Sequence, residues 1–185
     1  MMRSWFKALA GAIVVAAISG ISAMADATTA LFLTRDDLVR ISDVVVRVKV
    51  GKAVYGENEE KTAIVTLTDM EVTQFLKGTG DTHITVRQFG GKYNGKTQKV
   101  IGDGKLVPGE DAIVFLRRGE KGISYLTILS QSVYHVDDKG MARRDFAGLT
   151  LMKRAGDKME PVAVVEQAET VESLMTDIKR LAGGK

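Results

Sequence analysis

Valine occurs at every second position of residues 44–50, and this pattern constrains the fold more than any other feature of the chain. Valine occupies every even position of the segment, whereas Arg47 and Lys49 occupy two of the odd positions. Successive side chains of a β-strand point to opposite faces, so the period of two predicts a half-buried strand with its even-numbered valines against a core. Further segments of strand-like composition are residues 62–76, 84–89, 112–117, 123–129, 133–136, 141–146 and 149–152.

A helix is predicted on each side of this β-rich region. Near the N-terminus, Thr34 is placed to cap a short helix that ends near Ser42, and Asp37 follows three residues later, where the helix dipole favours negative charge. Near the C-terminus, apolar side chains recur at helical spacing with charged side chains between them. This second pattern predicts an amphipathic helix over residues 170–182, with Val171, Leu174, Met175, Ile178 and Leu181 on its apolar side.

The segments between the predicted strands are polar or rich in glycine. Residues 51–61 and 92–105 are predicted to be exposed loops, and residues 137–140 the loop of a hairpin. Within residues 62–76 the apolar positions change phase twice, which indicates a β-bulge or a strand that bends around a barrel. Residues 112–117 are apolar on both faces, so we expect this strand to be central.

Together these elements predict a mainly β fold. Several strands with short connections and a helix at each end favour a closed or partly closed antiparallel barrel, because closure leaves no exposed sheet edge. We therefore expect an OB-like barrel with a short N-terminal helix and an amphipathic C-terminal helix. All of these elements are expected to form one domain over residues 26–185.

Residues 1–25 have the three parts of a secretory signal peptide. Two cations, Arg3 and Lys7, precede an uncharged apolar run over residues 8–21, and Ala23-Met24-Ala25 fits a cleavage site. The apolar run is shorter than the roughly 20 residues that a membrane-spanning helix needs. We therefore expect cleavage after this motif, no stable membrane anchor afterwards, and export to the periplasm or the extracellular space.

Removal of the signal peptide changes the composition that bears on function. Loss of 25 of the 185 residues leaves 160, a length that suits one domain with a sizeable core. The 26 lysines and arginines fall to 24 against 23 aspartates and glutamates, so the net charge drops from +3 to +1. This balance disfavours nucleic acid as a partner. The chain has no cysteine, which excludes disulfides, zinc-thiolate sites and a cysteine nucleophile.

Several short motifs follow one another in a suggestive order: Leu38-Val39, Ser42-Asp43-Val44-Val45-Val46, Phe75-Leu76-Lys77-Gly78, Ile84-Thr85-Val86-Arg87-Gln88, Gly90-Gly91 and Pro108-Gly109-Glu110. This order resembles uncharacterised secreted bacterial β-barrel proteins and, more distantly, the netrin-like domain of tissue inhibitors of metalloproteinases. The resemblance spans residues 38–116 and implies an OB-type barrel. Those inhibitors reach the catalytic zinc through an N-terminal cysteine. Since this chain has no cysteine, the resemblance implies the fold and not the inhibitory mechanism.

The best candidate for a binding site surrounds Gly90-Gly91. The segment is basic, with aromatic residues among its cations and Asp103 as its only acid. OB-type barrels bind oligonucleotides and oligosaccharides through charged loops and aromatic side chains. The predicted binding residues are Arg87, Phe89, Lys92, Tyr93, Lys96 and Lys99. The alternative is that lysines in an exposed loop serve only solubility.

No motif indicates catalysis. His83 and His135 are the only histidines, and they lack further ligands at the spacing of a zinc site. No Gly-x-Ser-x-Gly motif supplies a serine nucleophile, and no glycine pair continues into a phosphate-binding loop. We therefore predict no catalytic residue, no metal site and no cofactor.

Three functional hypotheses follow. The first is an exported, non-enzymatic binding domain that recognises an unknown protein or an envelope polysaccharide through residues 87–105. The second is a hydrolase of unrecognised type that uses His83 or His135. The third is a single-strand nucleic-acid binder, which the small net charge disfavours.

Overall fold

The computed structural model describes residues 27–183, so the predicted signal peptide over residues 1–25 lies outside the described residues. The protein is mainly β, as predicted. Its strands are β1 (Thr28–Leu31), β2 (Val44–Glu57), β3 (Ile64–Lys77), β4 (His83–Phe89), β5 (Gly91–Tyr93), β6 (Lys96–Gln98), β7 (Asp111–Arg118), β8 (Ile123–Leu126), β9 (Val133–Val136), β10 (Met141–Arg144), β11 (Leu149–Ala155), β12 (Lys158–Pro161) and β13 (Glu169–Thr170). Its helices are α1 (Arg35–Ile41), α2 (Val171–Gly183) and a 3-10 turn at Leu129–Ser132.

Five strands pair in a ring. The largest sheet has the strand order β13-β10-β9-β7-β2-β3-β4-β8, and β8 also pairs with β7. The pairings of β7, β2, β3, β4 and β8 therefore lead back to β7. Within the ring, only the pairing of β4 with β8 is parallel.

The expectation of antiparallel pairing fails at two places. β4 pairs in parallel with β8, and β1 pairs in parallel with β11. Two parallel strands run in the same direction, so the chain between them must return to the end at which the first strand began. In both cases several other strands lie between the partners in the chain, so the connection is long enough.

The alternation that predicts β2 is visible in its burial. The even-numbered valines of residues 44–50 are buried, whereas Lys49 is exposed. Arg47 lies on the face opposite these valines, and its Nε donates to both carboxylate oxygens of Asp111 on β7 at 3.1 Å. Val45, on the same face as Arg47, is also buried and joins a second core cluster, so the prediction of a half-buried strand is wrong at this position.

β2 continues to Glu57, so the first half of the loop predicted for residues 51–61 is wrong. The register between β2 and β3 shifts between Val50 and Ala53, which marks a β-bulge. A bulge changes the face on which later side chains lie, so the alternation does not continue through it. A further shift leaves Thr73 of β3 as an extra residue, which confirms the irregularity predicted from the phase change in β3.

Apolar clusters lie on both sides of the ring strands. The first draws buried side chains from β2, β3, β4 and β7 and a half-buried leucine from β8, so the ring encloses it. The second packs the outer face of the ring against the helices and includes Leu38 of α1 and Leu174 of α2. β7 contributes Val114 to the first cluster and Phe115 to the second. The prediction that β7 is central and apolar on both faces is confirmed.

The helices begin and end close to their predicted positions. The Thr34 hydroxyl accepts from the amide of Asp37 at 3.2 Å, and the Asp37 carboxylate accepts from the amide of Thr34 at 3.3 Å, which is a capping box. α1 ends before Ser42, as predicted. α2 begins and ends one residue later than predicted and buries its apolar side. None of the helices described here has the length and apolarity needed to cross a membrane.

Candidate binding site

An open cavity of about 820 Å³ lies at one end of the five-strand ring, and we refer to it as the end cavity. β2 and β4 finish near this end of the ring, and β3 begins there. Residues 98–106 complete the enclosure. The residues that line the end cavity include Tyr55, Thr66, Gln88, Phe89, Lys99 and Asp103.

A row of three side chains crosses the end cavity from strand to strand. Tyr55 on β2 is the register partner of Thr66 on β3, and Thr66 is the register partner of Gln88 on β4. Register partners lie on the same face of a sheet. Met70, four residues after Thr66, belongs to the core that the ring encloses, so the row lies on the inner face. The end cavity is therefore a polar opening at one end of the apolar interior of the ring.

Residues 98–106 pack across this opening of the ring. The prediction of an exposed loop over residues 92–105 is therefore wrong for the part of the loop from residue 98 onwards. Gly104 is buried, and a Cβ atom at this position would lie 2.7 Å from Leu126 Cδ1 and 2.8 Å from Val133 Cγ2. The absence of a side chain thus lets the backbone approach the core closely. In the sequence, the same glycine content suggested exposure, which explains the error.

Asp103 and Gln88 form a hydrogen-bonded pair in the end cavity, and we refer to these two residues together with Thr66 as its polar floor. Gln88 Nε2 donates to Asp103 Oδ2 at 3.0 Å and to the carbonyl oxygen of Gly104 at 2.7 Å. The amide of Gly104 donates to Asp103 Oδ1 at 2.8 Å. Burial raises the pKa of the Asp103 carboxyl, although these hydrogen bonds oppose the rise. The end cavity therefore holds a carboxyl group that can accept hydrogen bonds and whose ionised form is disfavoured by burial.

Two aromatic residues of the end-cavity lining are open to solvent. Tyr55 is 46% exposed and Phe89 is 53% exposed. The guanidinium carbon of Arg87 lies 5.8 Å from the centre of the Phe89 ring, which is within cation–π range. Rings of this size are usually buried, so their exposure beside a cavity leaves them available to a ligand.

β5 and β6 form a hairpin beside the end cavity. Tyr93 is the register partner of Lys96. Lys92 and Lys96 are exposed, and Tyr93 is half-buried. The hairpin begins at Gly91, where a Cβ atom would lie 2.6 Å from Tyr55 Cδ1. The start of the hairpin therefore packs directly against a ring of the end cavity.

The structure divides the six predicted binding residues into two groups. Phe89 and Lys99 line the end cavity, and Arg87 stacks on Phe89. The other three lie on the hairpin, outside the lining of the end cavity: Lys92, Tyr93 and Lys96.

Among the residues of the end cavity that sequence reasoning missed are Tyr55, Thr66, Gln88 and Asp103. Tyr55 lies in a segment predicted to be a loop, and an aromatic residue within that polar stretch was the one available signal. Asp103 counted only as the single acid of a basic segment. Thr66 and Gln88 have no distinguishing sequence context, because only the strand register places them in the end cavity.

The two histidines lie in separate places, and each is near a carboxylate. His83 Nδ1 is 3.4 Å from Asp69 Oδ2, and the His83 side chain is 63% exposed. His135 Nδ1 is 3.0 Å from Glu110 Oε1 in a less exposed setting. Within residues 27–183, neither histidine is hydrogen-bonded to a serine or threonine hydroxyl. No group of three or more metal-ligating side chains occurs in the same range.

No family model, curated protein or solved structure matches this chain. The resemblance to netrin-like domains therefore stays a prediction. The geometry of the end cavity is the observation from which a function can be inferred.

Proposed function

We propose that the protein is an exported, non-enzymatic binding module that holds a segment of envelope polysaccharide in the end cavity. One observation carries this proposal: an open space of about 820 Å³ whose lining combines two exposed aromatic residues, Tyr55 and Phe89, with polar side chains. Export is supported by the predicted signal peptide.

The lining of the end cavity suits the two kinds of surface that a sugar ring presents. The C–H face of a sugar packs against aromatic rings, as Tyr55 and Phe89 offer, and its hydroxyl groups need placed polar partners. Thr66 Oγ1 donates to the carbonyl oxygen of Gly90 at 2.7 Å, which leaves its lone pairs to accept from a ligand hydroxyl. The Asp103 carboxyl provides a second acceptor in the floor.

The charges around the end cavity favour a ligand with negative charge. Lys99 and Lys105 line the end cavity, and two further lysines of the hairpin, Lys92 and Lys96, are exposed beside it. Asp103 is the only acidic residue among the described residues of the lining, so the cations outnumber it. Exposed lysines attract an anionic chain over roughly 8 Å at physiological ionic strength.

We also propose that the five-strand ring is an OB-type barrel. The cyclic order β2-β3-β4-β8-β7 and the enclosed apolar cluster support this assignment. In OB-type barrels, the second and third strands form the face that binds oligonucleotides and oligosaccharides. The second and third ring strands here are β3 and β4, which supply Thr66, Gln88 and Phe89 to the end cavity.

Calorimetric titration with soluble envelope-polysaccharide fragments tests the proposal. Tyr55→Ala and Phe89→Ala should each weaken binding about tenfold, because loss of one stacked ring costs about 1.4 kcal/mol. Tyr125→Ala is the matched control, since Tyr125 is 37% exposed on β8 and lies outside the lining of the end cavity. If both cavity variants bind as the control does, the proposed site is wrong.

The same titration with an oligothymidylate separates the polysaccharide from a single-strand nucleic acid. Nucleic-acid binding falls steeply with salt concentration because it releases counterions. Strong, salt-sensitive binding of the oligothymidylate, with no response to polysaccharide fragments, would replace the proposal by the nucleic-acid hypothesis.

A further inference from the structure

Two residues, Asn94 and Gly95, form the tip of the hairpin that lies beside the end cavity. They stand between the register partners Tyr93 and Lys96, so they are the whole loop of this hairpin. Their φ angles are 47° and 74°, and an Asn-Gly pair with two positive φ angles is typical of a type I′ turn. Both residues are exposed, and a Cβ atom at Gly95 would have no heavy atom within 4 Å beyond its neighbours in the chain. The tip therefore projects into open space.

The amide groups at the tip are not hydrogen-bonded. At the base of the hairpin, the Gly90 amide donates to the carbonyl oxygen of Ile64 at 2.7 Å, and Gln98 Oε1 accepts from the amide of Ile64 at 2.7 Å. Within residues 27–183, by contrast, the Asn94 side-chain amide has no hydrogen-bond partner and the Gly95 backbone amide donates to no acceptor. The hairpin is therefore anchored at its base and open at its tip.

The chain has one other asparagine, Asn58, and its side-chain amide is held in place. Asn58 Oδ1 accepts from the backbone amides of Thr62 and Ala63 at 2.8 Å and 2.9 Å. Asn58 Nδ2 donates to Glu60 Oε2 at 2.7 Å and to Thr62 Oγ1 at 2.9 Å. The residue that follows is Glu59, whose side chain hinders approach to its own backbone nitrogen. Asn58 is therefore an internal reference of the same residue type.

We propose that Asn94 is a site of spontaneous deamidation, and that the acidic product lowers the affinity of the end cavity for an anionic ligand. The Gly95 nitrogen forms a bond to Asn94 Cγ, the bond between Cγ and Nδ2 breaks, and the hydrogen of the Gly95 amide leaves with Nδ2 as ammonia. Water then opens the resulting cyclic succinimide at either carbonyl carbon, which gives aspartate or isoaspartate and restores the amide hydrogen. The reaction needs water and no other reagent.

The geometry of the tip meets the requirements of this reaction. Asparagine is one of the chemically labile residues that heat-adapted proteins contain less often. Ring closure needs a backbone nitrogen that is not hydrogen-bonded and is not shielded by its own side chain, and Gly95 satisfies both conditions. β5 and β6 have only three residues each, so the loop that joins them can rearrange at a smaller cost than a core strand.

The product adds a negative charge to a hairpin that carries exposed cations. Lys96 directly follows the tip, and Lys92 lies on the other strand of the hairpin. At roughly 10 Å in water, one unit charge changes the affinity for a singly charged ligand group about twofold. This consequence rests on the proposed function, because it requires an anionic ligand in the end cavity. The deamidation itself does not.

Peptide mapping by mass spectrometry tests the modification in the folded protein. During incubation in mildly alkaline buffer, the peptide that holds Asn94 should gain the mass of one deamidation and separate into aspartate and isoaspartate forms. The peptide that holds Asn58 should stay unchanged. Asn94→Gly keeps a turn sequence suited to type I′ and should show no gain, and Gly95→Ala should slow the reaction several-fold. If Asn94 reacts no faster than Asn58 in the folded protein, the proposed site is wrong.

Titration with a soluble anionic fragment of envelope polysaccharide measures the effect on binding. Asn94→Asp gives an Asp-Gly turn, which also suits type I′, so it isolates the added charge. It should bind about twofold more weakly than Asn94→Gly in low salt and equally well in about 1 M salt, where the screening length is about 3 Å. Ser173→Asp adds the same charge on α2, outside the lining of the end cavity, and should bind as the unaltered protein does. All of these variants keep Lys99 and Lys105, so the lysines of the end cavity contribute equally throughout.

The outcomes separate this inference from the proposed function. If the mass gain occurs but Asn94→Asp binds as Asn94→Gly does, the modification site stands and its effect on binding is overturned. If the unaltered protein binds no polysaccharide fragment, the proposed function and the effect on binding both fail. The mass measurement decides the modification site in either case.

Discussion

Replacing Glu166 by alanine is expected to destabilise the fold strongly, because it leaves a buried charge without a counterion. The Arg144 side chain is 6% exposed and the Glu166 side chain 16% exposed. Arg144 Nε donates to Glu166 Oε1 at 2.8 Å, and Nη2 donates to Oε2 at 3.0 Å. This pair ties the extended segment before β13 to the end of β10.

The size of the effect follows from what remains around Arg144 in the variant. Breaking a buried ion pair by removing one partner costs about 3–5 kcal/mol. Arg144 keeps a hydrogen bond to the carbonyl oxygen of Leu33 at 3.3 Å and lies 5.1 Å and 5.0 Å from the ring centres of Tyr134 and Phe146. These contacts favour the lower end of the range, about 3 kcal/mol. With a urea dependence of about 2 kcal/mol per molar, the unfolding midpoint should fall by about 1.5 M.

Urea unfolding followed by far-UV circular dichroism at neutral pH measures this shift. Glu59→Ala is the matched control, because Glu59 is 85% exposed and lies 3.8 Å from Lys121 in a surface ion pair. The control should change the free energy of unfolding by less than about 0.5 kcal/mol.

A double variant tests whether the unpaired charge, and not lost packing, causes the effect. Arg144→Met combined with Glu166→Leu removes both charges and keeps apolar volume, so it should be more stable than Glu166→Ala alone. The reasoning is refuted if Glu166→Ala costs no more than a surface substitution. It is equally refuted if the double variant is the less stable of the two.

Three further predictions concern the end cavity and α1. Because burial raises the pKa of Asp103, the protonated side chain stabilises the fold at low pH, and this contribution is lost as pH rises from the ordinary value of 3.8 through the folded pKa. Asp103→Asn should therefore flatten this part of the profile of urea midpoint against pH. An unchanged profile would contradict a raised pKa for Asp103. Gly91→Ala should displace Tyr55 and weaken polysaccharide binding, since the new Cβ would lie 2.6 Å from the ring, whereas Gly95→Ala, with no atom within 4 Å, should leave binding intact. Thr34→Ala removes the cap of α1 and should cost about 1 kcal/mol in urea unfolding, whereas Thr34→Ser should cost little.

Features that depend on near neighbours in the chain were predictable. The capping box at Thr34 needs residues only three positions apart, and its pattern is visible in the sequence. The valine alternation of residues 44–50 reports burial on one face directly, because the side-chain period of a strand is two. β7 was recognised as central because both of its faces are apolar.

Features that depend on distant pairing were not predictable. The parallel pairing of β4 with β8 closes the ring, yet no local pattern in either strand specifies it. The bulge after Val50 hides the second half of β2, so Tyr55 was assigned to a loop. Phe89 and Lys99 could be proposed as binding residues from composition alone, whereas Gln88 and Asp103 become neighbours only when residues 98–106 fold across the ring.

The glycine-rich segment before β7 reads as a flexible loop in the sequence, whereas the folded protein holds it in place. A flexible loop would leave the binding site unformed until a ligand arrives, and ordering it would reduce affinity. Here the backbone at Gly104 contacts the core, and Gln88 holds the Asp103 carboxyl and the Gly104 carbonyl in place from β4. The floor of the end cavity is therefore already formed, and only exposed side chains such as Phe89 and Lys99 remain to be ordered. A ligand that fits this floor loses less conformational entropy on binding, so the end cavity is suited to selecting one repeating unit of a polymer by shape.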